Sequence, residues 1–446
     1  MDLYYKLNDK PPLTACLVLG LQHLLAALPG IIGAPLVIAS VLKFSVAETI
    51  ILINASLLMS GLGSIIQSRG IRSLNIGAQL PIIQGTSFAF VGVSVSIGFQ
   101  YDFSAVIGAT IAGGLFEIIL SFLMPQVRKL FPPVVTGTVV CLIGMTIFPV
   151  AIDWLGGGTG ADDYGNLVNL GVGMTVFAIV VFLNQWFKGF ISAASIIVAL
   201  LVGYLIWFFL GRLSFTSVIQ AESFALPDLL HFGIEFHASA IIAMCIAYAV
   251  SIVESTGDYL ALAHYCNTEL DSKRLSSGIR WEGLNSMIAG LFNCTASTSF
   301  SQNIGVVGIT GVASRYVVIT AGFMLMAAGL LPKFGALIAS VPQPVIGGAG
   351  LVMFSMILAG GIGVIQSVEF NRRNTMILAL GFAAGLTVTY RPDIVGQLPA
   401  ALKTICGNGI ALGAIVTVIA NLILPGRPKE QLPTSKTNTD IASDAL

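Results

Sequence analysis

The sequence predicts an all-α, multi-span membrane protein, and three observations carry that reading. The first is composition: the chain has 446 residues, 56% hydrophobic and 9% charged, whereas a soluble domain is roughly 45–50% apolar and about 25% charged. The second is a set of long charge-free stretches, 11–42, 73–101 and 334–368 among them, each able to hold one or two helical spans of about 20 residues. The third is the distribution of Lys and Arg, which falls unevenly on the two sides of the spans those stretches define. A water-soluble enzyme is excluded. Lys plus Arg and Asp plus Glu balance at 21 each, which leaves no basic surface for nucleic acid. The six cysteines are scattered without a Cys-x-x-Cys pair; they offer neither a disulfide framework nor a thiolate metal site and read as small buried hydrophobes.

Fourteen segments follow from the charge-free intervals: 13–40, 46–66, 77–93, 104–124, 132–150, 167–186, 190–210, 238–262, 282–293, 299–313, 316–332, 336–358, 374–390 and 405–425. The first is too long for a cleaved signal. An even number of spans puts both termini on one side, which then holds 16 of the 21 Lys and Arg residues against 5 on the other. By the positive-inside rule that side is cytoplasmic.

The two halves resemble each other. Thr86-Ser87-Phe88 recurs as Thr298-Ser299-Phe300, and Pro133-Val134-Val135-Thr136-Gly137 recurs loosely as Pro344-Val345-Ile346-Gly347-Gly348, at offsets of 212 and 211. Seven spans per copy is an odd number, so the second copy inserts upside down. Such a 7+7 inverted repeat is common among secondary transporters, with the substrate near the midplane between copies.

Both Thr-Ser-Phe stretches read poorly as membrane helix. Gln79–Phe88 combines proline, glycine, β-branched residues and amides, and Asn293–Asn303 is more polar still. Irregular backbone at membrane depth is tolerated where protein buries it or where it lines a cavity. Segments 3 and 10 are therefore each expected to carry a short extended stretch leading into a half-helix, whose N-terminus and free backbone groups would face a small polar ligand.

Ionisable residues inside the spans are few. His23 lies in segment 1, Glu117 in segment 4, Glu254 and Asp258 in segment 8 and Glu282 at the start of segment 9. Ser251, Glu254 and Asp258, at i, i+3 and i+7, share one helix face, and that face cannot be lipid. Two stacked carboxylates repel when both are ionised, which favours taking up a proton. His23 suits a proton-coupled network; Glu282, close behind Arg280, suits a helix-start or ion-pair role as well. Glu117 reads as a buried structural acid. His264 and Cys266 lack further ligands for a metal. The Gln302 carboxamide donates and accepts side by side, matching a lactam edge, while an ionised Glu254 accepts from ring N–H groups. Together they describe a planar heterocycle, with Gly305 allowing close backbone approach and Phe88 stacking on the ring.

These residues resemble the nucleobase–ascorbate transporters, the second type of nucleobase:cation symporters. The family signature, Gln, Glu or Pro followed by Asn-x-Gly, four free positions, Thr, and Arg, Lys or Gly, is met from Gln302-Asn303-Ile304-Gly305 to Thr310-Gly311. Gln22-His23, Glu254–Asp258 and Pro342–Gly350 add to the likeness, which covers about 13–425.

The resemblance implies a core domain (1–124 and 225–332), a gate domain (125–212 and 333–425) and a cytoplasmic tail (426–446). It implies proton symport by an elevator-like core motion, no cofactor beyond H⁺ as coupling ion, and a homodimer through the gate domains. Glu254 and Gln302 would be the principal substrate side chains, with Phe88 and Ser301 adding contacts. His23, Asp258, Glu282 and Asn303 would form the proton and hydrogen-bond network. Gln at the head of the signature goes with xanthine and urate, Glu with pyrimidines and Pro with ascorbate. The small side chain of Ser87 leaves room for the extra oxygen of urate. Many relatives carry Asp where Glu282 stands. The expectation is a proton-coupled importer of xanthine or urate. The alternatives are a symporter of uracil or another nucleobase, an anion transporter of the same inverted-repeat fold, a channel and a membrane-embedded enzyme, the last without any nucleophile–base pair or phosphate loop in its favour.

Overall fold

The computed structural model describes residues 3–124 and 130–426. Arg128, Lys129 and the tail beyond Gly426 lie outside the described residues. Fourteen helices organise the rest: α1 (Leu13–Val41), α2 (Val46–Arg69), α3 (Val91–Gln100), α4 (Phe103–Ser121), α5 (Pro133–Gly156), α6 (Leu167–Trp186), α7 (Ser195–Phe209), α8 (Ala238–Tyr265), α9 (Ser272–Leu291), α10 (Ser301–Thr310), α11 (Arg315–Gly329), α12 (Gln343–Gln366), α13 (Arg372–Tyr390) and α14 (Gly409–Ile423). Short helical turns link them, and two strands, β1 (Gln84–Thr86) and β2 (Ser297–Ser299), precede α3 and α10. Among the described residues seven helices (α1, α2, α4, α5, α6, α8 and α12) are long and apolar enough to cross a membrane, and α11 reaches that length only together with the short helix Pro332–Ala339, from which it bends by 83°. This is a mostly helical, multi-pass membrane protein.

With lipid as solvent, helices gain little from hiding apolar surface and associate through close van der Waals packing, which small residues permit. The main pairings follow that rule. α2 meets α11 where Gly61 lies against Gly322, α4 meets α9 where Gly114 lies against Gly283, and α5 meets α12 where Gly144 lies against Leu358 and Gly361 against Cys141. Indole Nε1 of Trp281 donates to the Gly63 carbonyl at 2.8 Å, tying α9 to α2. Apolar side chains such as Leu201, Leu205, Phe208 and Phe209 on α7 and Phe182 on α6 are exposed, as a lipid-facing surface requires.

Several helix boundaries differ from the sequence reading. The sequence places segment 9 at 282–293, but α9 begins at Ser272 because the Asp271 carboxylate accepts from the Arg274 N–H at 2.7 Å and caps it. Its first turns carry Lys273, Arg274 and Arg280, which hydropathy reads as loop. Glu282 is therefore a mid-helix residue. The guanidinium of Arg280 turns away from it, lying 4.1 Å from the centre of the Phe122 ring and donating to the Asn75 carbonyl, so neither a helix-start nor an ion-pair role remains for Glu282. Segment 12, read at 336–358, runs instead from 343 to 366, because Pro344 fits only the first turn of a helix and so sets its start just after Pro342. The helical part of segment 3, read at 77–93, does not begin until after the strand and runs to residue 100.

Candidate functional site

The two irregular stretches meet. β1 and β2 pair antiparallel, Gln84 with Ser299, Gly85 with Thr298 and Thr86 with Ser297. The pairing extends at both ends, where the Phe300 N–H donates to the Ile83 carbonyl (3.0 Å) and the Ser87 N–H to the Ala296 carbonyl (3.3 Å). Each strand thus satisfies backbone groups that neither water nor lipid could.

Each strand is also pinned to the long helix of its own half by the threonine of its Thr-Ser-Phe motif. On α1, Pro35 has no N–H to give to the Ile31 carbonyl one turn earlier, and the Thr86 hydroxyl donates to that carbonyl at 2.7 Å. On α8, the Thr298 hydroxyl meets those of Ser251 (3.1 Å) and Ser255 (2.7 Å). The phenylalanines then close over glycines of α1, Phe88 against Gly33 and Phe300 against Gly30. From there α3 and α10 start near the strand pair and direct their N-terminal dipoles toward it.

Beside this junction lies a cavity of about 950 Å³. Glu254, Asp258, Gln302, Ser301, Gly305, Phe88 and Ser87 all line it, together with Gln22 from α1. Neither Glu254 nor Gln302 is turned outward. Glu254 lines the cavity wall, and its Oε2 is buried with no hydrogen-bond partner, an acceptor that the protein supplies with no donor. A Cβ added to Gly305 would meet no atom within 4 Å; the empty space is the cavity itself. The Phe88 ring packs edge-on to Phe354, with centres 5.3 Å apart.

His23, Asn303 and Glu282 do not line the cavity; they lie behind it. His23 Nδ1 and Asn303 Oδ1 are 2.5 Å apart, and Asn303 Nδ2 donates to the Pro81 carbonyl at 2.8 Å. Asp258 accepts from Ser299 Oγ and Ser301 Oγ, both at 2.9 Å, which joins the cavity wall to β2. Glu282 accepts from the Tyr259 hydroxyl at 2.6 Å and from Gln84 Nε2 at 3.1 Å; Tyr259 in turn is hydrogen-bonded to Gln67. The sequence reading missed Gln67, Gln84 and Tyr259 as members of this network. Gln84 sits in the stretch flagged as irregular, but no spacing marks Gln67 or Tyr259.

The cavity reaches one membrane face. Its lining extends to Thr310 at the end of α10, Asn184 near the end of α6, Ser367 after α12 and Pro132 before α5. The N-terminal segment lies on that same face, since the Tyr4 N–H donates to the Gly311 carbonyl at 2.9 Å. Toward the opposite face the helices close. Trp154 Nε1 of α5 donates to Ser40 Oγ of α1 at 3.0 Å, and Gly92 of α3 lies against the Asn408 side chain at the start of α14.

Residues 14–394 match the sequence profile of the Permease family. The chain belongs to that family, the nucleobase–ascorbate transporters. Among its relatives in the family, a xanthine permease of Bacillus subtilis is 39% identical over 409 residues, covering 91% of this chain and 93% of the relative. A uric acid permease of the same organism, PucK, is 37% identical over 404 residues, covering 90% and 94%. The transporter fold extends further: the transmembrane domain of the cyanobacterial bicarbonate transporter BicA superposes with a TM-score of 0.61 at 17% identity, covering 94% of this chain and 99% of that one. By its family the chain is a permease and not an enzyme.

Proposed function

We propose that this permease takes up an oxidised purine, xanthine or urate, across the bacterial plasma membrane by proton symport, with both termini cytoplasmic. The observation that carries the reading is the convergence of Glu254 and Gln302 on one cavity beside the paired strands. Ring N–H groups would donate to Glu254, and the carboxamide of Gln302 would pair with a lactam edge. Phe88 offers the apolar face, while Ser87, Ser301 and Gly305 leave room for a flat ring. No cofactor is needed beyond the coupling proton, which Asp258, Glu282, His23 and Asn303 would help to place. The names of the relatives support the purine class.

The motion we propose is an elevator. Its parts are a core domain of 1–124 and 225–332 and a gate domain of 125–212 and 333–425, arranged as fourteen spans in a 7+7 inverted repeat and dimerising through the gate. Helix packing supports the repeat, because advancing each label by seven maps the α2–α11 contact onto α9–α4 and the α1–α11 contact onto α8–α4, and maps α5–α12 onto itself. The strand pair obeys the same exchange.

Uptake of [³H]xanthine, challenged with unlabelled urate, guanine, uracil, sulfate and bicarbonate, tests this. Xanthine or urate should compete strongly, a protonophore should abolish accumulation and removal of sodium should not. Competition by uracil alone would move the substrate to pyrimidines. Competition by sulfate or bicarbonate alone would overturn the reading in favour of anion transport, which the unpaired carboxylate of Glu254 disfavours by charge repulsion.

A further inference from the structure

Glu117 of α4 takes no part in the cavity, yet it is a carboxyl group in the middle of the protein. Its side chain is 1% exposed, and neither carboxyl oxygen has a hydrogen-bond partner. An ionised carboxylate left in this condition would forfeit several kcal/mol of solvation with nothing in return.

The surroundings say where charge and proton belong. Glu282 lies on α9 beside Gly283, which packs against Gly114 and Ile118 on either side of Glu117, so the two carboxyl groups occupy one helix contact; Arg280 on the same helix is engaged with Phe122, Asn75 and Ser276 instead. From α8 come Tyr248, whose hydroxyl donates to the Thr110 carbonyl at 3.0 Å, and Tyr259, which donates to Glu282; Cys245 lies beside Tyr248. α3 brings no titratable side chain. Before α8, Glu235 approaches the other end of α4 near Gly108. Among these described neighbours no Lys, Arg or His is bonded to Glu117. Glu282 has two donors aimed at its Oε1, its Oε2 being unpartnered, and is the better equipped of the two to be the anion; Glu117 has none and is equipped to be neutral.

We infer that Glu117 and Glu282 form a carboxyl pair holding one proton, which rests on Glu117 in this conformation and can pass to Glu282; Glu282 is tied to the cavity wall by its bond from Gln84, the backbone pairing of Gln84 with Ser299, and the bond from Ser299 Oγ to Asp258. In the transfer the O–H bond of Glu117 breaks, an O–H bond forms on Glu282 and the negative charge moves the opposite way. The pair therefore keeps a total charge of −1. Glu117 touches no substrate in this arrangement and acts as a proton-holding residue. The inference that substrate feels this proton rests on the proton-symport reading; the inference that the proton is there does not.

Infrared difference spectroscopy on the purified, lipid-reconstituted protein separates the two. In the absence of any substrate, the carbonyl stretch of a buried protonated carboxyl should be present at neutral pH, missing in Glu117→Gln and retained, shifted, in Glu117→Asp. Adding xanthine should perturb the band in the wild type, and Glu117→Gln should bind xanthine but show a flattened pH dependence of accumulation and fewer protons carried per substrate, with Glu117→Asp restoring part of both. An unchanged band in Glu117→Gln overturns the proposal, as does a wild-type pH profile and stoichiometry in that variant. Should Glu117→Gln fail to fold, loss of the shifted band in Glu117→Asp overturns it equally. Failure of the wild type to bind xanthine, with the Glu117 band present, counts against the purine reading and leaves the proton pair standing.

Discussion

The Thr86 hydroxyl occupies the place of a missing backbone donor, bonding the Ile31 carbonyl that Pro35 leaves free at 2.7 Å. One side chain thereby repairs a break in α1 and fixes the height of β1 in the membrane. Thr86→Val keeps the shape and removes the donor, leaving a buried carbonyl unsatisfied at a cost of about 1–3 kcal/mol. Thermal unfolding in detergent should show that loss. Uptake should fall with it, because β1 carries Gln84 and leads directly into Ser87 and Phe88; unchanged stability and uptake would show that the carbonyl finds another partner.

Glu254→Gln and Gln302→Ala attack the cavity and leave the scaffold alone. Glu254 Oε2 has no protein partner to lose, and Gln302 is exposed to the cavity, so both variants should reach the membrane in normal amounts. Loss of the charge-assisted hydrogen bond of Glu254, about 1.5–3 kcal/mol, predicts xanthine affinity weakened by roughly one to two orders of magnitude, and loss of the neutral carboxamide of Gln302, about 0.5–1.5 kcal/mol per bond, by roughly two- to tenfold per bond. Binding to purified protein measures this directly, and wild-type affinity in either variant would remove that side chain from the site.

The sequence made some of this legible and hid the rest, for physical reasons. The paired strands could be read because Thr-Ser-Phe recurs at a fixed offset and because polar, proline-containing stretches cannot face lipid. Glu254 and Asp258 could be placed on one face because helical spacing is periodic. The start of α9 could not, since its Lys273, Arg274 and Arg280 resemble a loop until Asp271 is seen to cap the helix. Nor could the bond from Tyr259 to Glu282, or that from Trp154 to Ser40, which join residues whose separation in sequence carries no period. Glu117 reads from the sequence as a buried structural acid and is buried, but that neither of its oxygens has a partner is a property of three dimensions alone.

Backbone approach between helices gives another check. Gly114 and Gly283 place their carbonyls so near each other's Cα that a Cβ on either would meet backbone of the opposite helix. Backbone cannot swing aside as a side chain can. Gly283→Val should therefore force α4 and α9 apart and destabilise the protein by about 1–3 kcal/mol or more, with the neighbouring Glu282 displaced from Tyr259 and Gln84. Gly257, whose added Cβ meets nothing within 4 Å, provides the control: Gly257→Ala should leave thermal stability close to the wild type.

The bond from Trp154 to Ser40 links α5 to α1 at the face opposite the cavity mouth, so in an elevator it joins gate to core in this conformation and must break for the core to travel. Trp154→Phe retains most of the packing and removes the donor. A net loss of about 1 kcal/mol confined to one of two states shifts their ratio by roughly fivefold. A cysteine introduced as Thr310→Cys, at the cavity mouth, should then be modified more slowly by a membrane-impermeant thiol reagent applied from the N-terminal face, as the population moves toward the state in which that mouth is closed. Ser40→Ala should act in the same direction and add nothing to Trp154→Phe in the double variant, because both changes remove one shared bond. Equal labelling rates with and without Trp154→Phe would mean that the bond persists, or is replaced, in both states, and the closed face would then owe its seal to the packing of Gly92 against Asn408.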